Sequence, residues 1–240
     1  MIVTRRAGAI VTIALDRPAA RNALSTAGWN ALAGAVGAVA ASDAAAVILG
    51  SAVPGIFSAG ADLADLAILG EDVPGRAAFR ARMAAAIEGI AALPMPVIAA
   101  IDGGCYGAAV ALALACDIVV AGDRAVFATT PAKLGIGYPG GDVARLADRV
   151  GRGQAARMLF AAQPIDADEA ARIGLAHLRA AEAVPTAEAL AAQVAANAPG
   201  AVRLLKRTIA DPGNADAGFD AAFGGTEFVE RLAVFRNRTR

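Results

Sequence analysis

Two glycine-rich turns are the segments of this sequence best placed to do chemistry. Ser58-Ala59-Gly60-Ala61-Asp62 follows an apolar run around Val47 and precedes a helical pattern. Gly103-Gly104-Cys105-Tyr106-Gly107-Ala108 follows a second apolar run, Val97 to Ile101, and precedes another. Small residues let a backbone come close to a ligand. A helix N-terminus presents unpaired N–H groups at the positive end of its dipole. Two such turns on neighbouring strands can aim two N–H groups at one carbonyl oxygen. That is an oxyanion hole, in which each donor contributes about 3–4 kcal/mol to a transition state. Spacing alone does not make the pair specific, because glycine turns open helices in any α/β fold.

Other motifs read more plainly. Gly135-Ile136-Gly137-Tyr138-Pro139-Gly140 matches G-x-G-x-x-G letter by letter. A dinucleotide site needs a strand just before that motif and a helix opening within it. Pro131-Ala132-Lys133-Leu134 precedes it and Pro139 interrupts it, so a shaped loop is expected. Gly55-Ile56-Phe57-Ser58-Ala59-Gly60 lacks the spacing of a nucleophile elbow. A serine nucleophile also needs a base, and the one histidine, His177, sits in an apolar, strand-like stretch where a structural role is expected. A single histidine and two cysteines, Cys105 and Cys116, build no histidine metal site, zinc centre or disulfide framework, so no metal is expected. Both cysteines read as small buried apolar residues in a reducing cytosol.

The 240 residues suit one domain with at most a small appendage. They are 57% hydrophobic and 18% charged, enough to bury a sizeable core and to exclude disorder. Lys+Arg and Asp+Glu are both 22, a balance that recruits neither nucleic acid nor an anionic membrane. The uncharged run Gly103 to Cys116 is too short for a bilayer and contains glycines. Met1 to Leu15 mimics a secretory leader, but Ile2-Val3-Thr4 precedes its arginines and Asp16-Arg17-Pro18 follows with no convincing cleavage site. Two short strands and a cytoplasmic location are expected instead.

The positioning elements follow from periodicity. Ile10 to Leu15 is a β-branched strand. Ser25 caps a helix from Thr26 to about Ala40, with Leu32, Val36 and Val39 on one face. Val47-Ile48-Leu49 is a buried strand; a loop, Ser51 to Gly60, leads to a short helix near Asp62. A longer helix, Gly75 to Ala92, turns Phe79, Met83, Ile87 and Ile90 inward. Val97 to Ile101 is a strand, then a glycine turn, then a helix from Gly107 to about Ala115. Ile118 to Ala121 and Val126 to Ala128 are strands, and from Asp142 onward the pattern is almost wholly helical. This alternation predicts an α/β fold with a core over 1–190 and a helical tail over 191–240.

Residues beyond the glycines carry a resemblance. Arg21-Asn22-Ala23-Leu24-Ser25, Phe57-Ser58-Ala59-Gly60-Ala61-Asp62-Leu63, Pro96 to Gly103, Cys116-Asp117-Ile118, Gly174-Leu175 and the closing Phe235-Arg236-Asn237-Arg238 resemble, in order and interval, the crotonase superfamily of enoyl-CoA hydratases and isomerases. The resemblance spans essentially the whole chain. It implies a crotonase-like spiral of ββα units with a C-terminal helical trimerisation region, assembled as a homotrimer or hexamer. It implies an acyl-CoA thioester as ligand, with coenzyme A as part of the substrate and no permanently bound cofactor. The N–H groups of Ala61 and Ala108 would hold the thioester oxygen. Backbone around Arg21, Ala23 and Leu24 would hold the adenine end, with Ala59, Asp62 and Leu63 nearby, and Arg238 would meet phosphates.

The chain departs from that family where the acid–base chemistry belongs. The resemblance places one glutamate at Ala111 and a second at Pro131 or Ala132, and no glutamate occurs between Glu88 and Glu169. Each such group contributes about 10²–10⁴-fold, so ordinary water addition is not expected. The loop Thr130 to Tyr138 resembles one in methylmalonyl-CoA decarboxylases of the superfamily, where the tyrosine lies over the thioester; that gives Tyr138 a catalytic reading beside its reading as a lid aromatic. Asp142, the remaining carboxylate near this loop, reads most simply as a helix cap. Three functions stay open: a hydratase or isomerase working by enolate stabilisation, a decarboxylase-like enzyme, and a non-catalytic acyl-CoA carrier.

Overall fold

The computed structural model describes the backbone of residues 1–238, with the side chains of residues 214, 237 and 238 outside the description. The chain opens with an antiparallel hairpin, β1 (Ile2–Ala7) and β2 (Ile10–Leu15), in which Ile2 faces Leu15. Helix α1 (Thr26–Ala40) starts where predicted, because the Ser25 side chain accepts the Gly28 N–H at 3.2 Å. Its Leu32, Val36 and Val39 are buried.

The chain then repeats one excursion three times: a strand of a long sheet, a three-residue strand of a second sheet, and helix. The first pass is β3 (Ala46–Ser51), β4 (Ile56–Ser58), α2 (Leu63–Ile68) and α3 (Val73–Ala91). The second is β5 (Val97–Ile101), β6 (Gly104–Tyr106) and α4 (Ala108–Leu114). The third is β7 (Ile118–Gly122), β8 (Val126–Ala128), and α5 (Gly140–Val150) followed by α6 (Arg152–Ala161). Strand β9 (Ile165–Asp166), α7 (Ala167–Arg172) and β10 (Leu178–Ala180) close the sheets. The long sheet runs β1-β2-β3-β5-β7-β10, parallel after the first hairpin; the short one runs β4-β6-β8-β9. This is the expected spiral of ββα units.

Period-two alternation divides the long sheet between two cores. Val47, Leu49, Val97, Ala99, Ile101 and Val119 join the main core with α1, α3 and α4. Ala46, Ile48, Ile98, Ala100 and Val120 face α8 (Ala183–Ala195), whose Ala183, Ala187 and Ala191 stand four apart and are fully buried. Residues 190 and 191 thus lie within a helix packed on the sheet. Beyond it come α9 (Pro199–Ala210), α10 (Asp216–Ala222) and α11 (Thr226–Arg238).

Four strands depart from the sequence expectation. β4 lies in the predicted loop, β6 in the predicted glycine turn, and β9 and β10 in the region expected to be almost wholly helical. Each has two or three residues, too few for a period-two signal, and long-range pairing supplies what local pattern does not. Gly135 to Pro139 form a loop behind a short 3-10 turn (Pro131–Leu134); α5 opens at Gly140, but no strand lies directly before the motif.

Candidate active site

Strand β4 delivers Ser58-Ala59-Gly60-Ala61 to Asp62, the cap of α2. A lattice of backbone bonds stitches this turn to the loop Arg21–Leu24. The Ala59 N–H donates to the Arg21 carbonyl at 2.9 Å, the Leu24 N–H to the Gly60 carbonyl at 2.7 Å, and the Asp62 N–H to the Leu24 carbonyl at 3.0 Å. The Ser58 hydroxyl donates to the Asn22 carbonyl at 2.7 Å, and the Asn22 amide donates to Phe57 and Ser51 in return. Ser58 is therefore a buried tie between segments. Between these pairings the Ala61 N–H has no protein acceptor among the described residues.

The second turn comes from β6. Gly107, at φ 53, holds the cap position of α4, and its N–H donates to the Ala128 carbonyl at 2.8 Å. Ala108 is the first residue of that helix, so its N–H has no intrahelical acceptor. The two turns meet at Gly60. It sits at φ +91, and a Cβ there would stand 2.5 Å from the Tyr106 carbonyl oxygen and 3.0 Å from the Ala108 nitrogen. Only a residue without a side chain permits that approach.

Ala61 and Ala108 line one cavity of about 110 Å³ together with Ala59 and Gly107. Its walls are apolar: Leu66 from α2, Phe79 and Met83 from α3, and Leu134 and Ile136 from the loop before α5. Tyr138 and Asp142 complete it. The Tyr138 hydroxyl donates to the Gly107 carbonyl at 2.7 Å, tying the loop to the cap of α4. Burial first, then the Asp142 charge, pushes its phenol well above the usual range. Asp142 does not cap α5, as expected from sequence; Pro139 holds that position, and Asp142 lies in the first turn. Burial raises its carboxyl above the usual range, Arg145 draws it back, and Glu88 raises it.

A second cavity adjoins the first through Ala59, Ala61, Leu63, Thr130 and Leu134, and adds Arg21, Ala23, Asp62 and Lys133. The Asp62 carboxylate is engaged there, accepting from Arg17 Nη1 at 2.5 Å and the Ala64 N–H at 2.9 Å. The Arg17 bond, then the Ala64 amide, hold it below the usual range. Leu24 is buried, and its backbone serves the turn lattice. The Arg238 side chain lies outside the described residues. Ala111 is buried in α4 and does not reach the first cavity, whereas Pro131 lines it.

Sequence reasoning did not find Lys133 beside the second cavity, and it placed Phe79 and Met83 in the core without showing that they wall a cavity. His177 is structural: its Nδ1 accepts the Val119 N–H at 2.9 Å, and its Nε2 lies 3.1 Å from Arg149. Both cysteines are free and fully buried. Among the described residues no cluster of three metal-ligating side chains occurs, and no helix is long and apolar enough to cross a membrane.

Comparison with known proteins identifies the family. The family model described as enoyl-CoA hydratase/isomerase matches residues 5–221. The chain is 33% identical over 232 residues to the short-chain-enoyl-CoA hydratase of Clostridium acetobutylicum, covering 95% of this chain and 88% of that one. It is 39% identical over 167 residues to the mitochondrial methylglutaconyl-CoA hydratase of Mus musculus, covering 69% of this chain and 52% of that longer one. The crystal structure of an enoyl-CoA hydratase/carnitine racemase from Magnetospirillum magneticum superposes with a TM-score of 0.92 at 32% identity, covering 99% of this chain and 92% of that one.

Proposed function

The chain belongs to the enoyl-CoA hydratase/isomerase family, and on that premise we propose that it binds an acyl-CoA thioester and stabilises the enolate formed from it. One observation carries the reading: two N–H groups without protein acceptors, on Ala61 and Ala108, line the same small apolar cavity. A thioester oxygen seated between them accepts both bonds. When the α carbon loses a proton, negative charge gathers on that oxygen, and the donors are already in place to receive it. The apolar walls exclude water and strengthen those bonds. The acyl chain occupies the space between Leu66, Phe79 and Met83, while the CoA portion leaves through the second cavity past Ala23 and the basic Arg21 and Lys133, whose charges suit phosphates. Exposed Leu205, Ile209, Phe219 and Phe223 on and beside α9 and α10 suit burial against further copies of the chain in a trimer.

Butyryl-CoA, which cannot accept water, separates binding from turnover. Saturable binding by calorimetry together with exchange of its α protons in D₂O supports enolate stabilisation. Binding without exchange or turnover of any enoyl-CoA makes the protein a carrier, a reading that the alanine at position 111 and proline at 131 favour. No binding at all rejects the proposal.

A further inference from the structure

We propose that Asp142 is the proton-transfer group of this cavity, resting on the reading that the Ala61 and Ala108 amides hold the thioester oxygen. Among the residues lining the cavity it is the only acidic one. Its side chain is 7% exposed, and Oδ1 accepts from Arg145 Nη1 at 3.3 Å. It makes no capping bond to the α5 amides. A nearly buried carboxylate held by one long ion pair carries a desolvation cost, and a carbon acid in the cavity that it lines would give it a proton to take. The remaining walls offer no competing base: Tyr138 alone among them is titratable, its proton is committed to the Gly107 carbonyl, and His177 is not part of the lining.

The charged and titratable groups around Asp142 tune it toward that role. Arg145, one turn on, is held by Glu88 of α3 through two bonds of 2.9 Å, which leaves Asp142 the longer 3.3 Å contact. Tyr138 faces it from the preceding loop. Desolvation and the Glu88 charge make the carboxylate more basic than usual, against the opposing pull of Arg145. Glu88 and Arg145 are positioning residues in this scheme.

One carboxyl suits a 1,3-proton shift. With a 3-enoyl thioester held on the two amides, the Asp142 carboxylate takes the α proton. The C–H electron pair moves into the carbonyl and gives a dienolate, with its charge on the oxygen. The carboxylic acid then returns the same proton to the γ carbon, and the electrons settle as an α,β double bond. No atom is gained or lost, and the base is regenerated. Water addition instead asks for activation of water and protonation of the α carbon, work usually divided between two groups.

The test uses trans-3-hexenoyl-CoA for turnover and butyryl-CoA for binding and α-proton exchange. Asp142→Asn keeps the side chain's shape, and its fold is checked by thermal melting. It is expected to lower isomerisation and exchange by about 10²-fold or more while leaving butyryl-CoA affinity within a few-fold. Glu88→Gln removes a charge that raises Asp142, so the acidic limb of kcat/KM is expected to move to lower pH, a shift that a merely structural residue would not produce. Wild-type rates in Asp142→Asn, an acidic limb unmoved in Glu88→Gln, or wild-type protein that binds butyryl-CoA yet neither isomerises nor exchanges would overturn the role of Asp142 and leave the amide pair standing. Wild-type protein that binds no butyryl-CoA would overturn the amide reading and this one with it.

Discussion

The amide nitrogen of Ala108 stands 3.0 Å from the point that a Cβ on Gly60 would occupy. That approach brings two turns from separate excursions of the chain onto one cavity. The Gly60→Ala variant meets two penalties: a positive φ of 91 and a carbonyl oxygen, that of Tyr106, 2.5 Å from the new methyl. Both obstacles are backbone, so relief comes only by spreading the turns. A loss of about 1–3 kcal/mol in stability is expected, with acyl-CoA affinity falling further than stability does. Thermal melting and butyryl-CoA calorimetry on the same sample measure the two; unchanged affinity would show that the turns need not touch.

Tyr138→Phe removes one hydrogen bond, that to the Gly107 carbonyl, and leaves the ring in place. The bond is worth about 1 kcal/mol, and it holds the loop over the cap of α4. If Tyr138 positions that loop, KM is expected to rise by up to about tenfold with kcat nearly unchanged. A fall in kcat at constant KM would instead move the phenol into the chemistry, as in the decarboxylase-like reading of its loop.

How much of this was legible in the sequence depended on the range of the forces involved. Helix α1 was readable to its ends, because a serine cap and a one-sided apolar face are local signals. The glycine turns were readable for the same reason: a backbone that must come close excludes side chains at particular positions. Strand β6 was not, since Gly104-Cys105-Tyr106 has the composition of a turn and becomes a strand through its neighbours β4 and β8. Phe79 and Met83 were readable as inward-facing, but periodicity does not say whether an inward surface is filled. Asp142 was misread as a cap because a carboxylate near a helix start usually is one. Pro139 occupies the cap position instead, without a side-chain cap bond; two glycines follow it, and the carboxylate is carried round into the first turn beside the cavity.

His177 sets a pH dependence of stability. Its Nδ1 accepts the Val119 N–H, and its own N–H group on the main chain donates to the Val119 carbonyl at 2.9 Å, so the residue closes the pairing of the chain before β10 onto β7. Protonation would take away the acceptor and set a cation 3.1 Å from the Arg149 guanidinium. Desolvation, then Arg149, accordingly hold the imidazole below its ordinary value of 6.5. Above that value folded and unfolded chains are both neutral here, and the contribution is complete. As pH falls below it the unfolded chain takes up a proton that the folded chain refuses, so stability declines until the folded group also titrates. Urea midpoints measured from about pH 7.5 down to about pH 5.5 are expected to fall more steeply for the wild type than for His177→Asn, whose side-chain oxygen can accept the same N–H. Asp142, with its raised carboxyl, acts in the opposite sense at lower pH and cancels between the two proteins. Parallel curves would mean that the imidazole titrates alike in both states, and that neither the Val119 bond nor Arg149 discriminates against the cation.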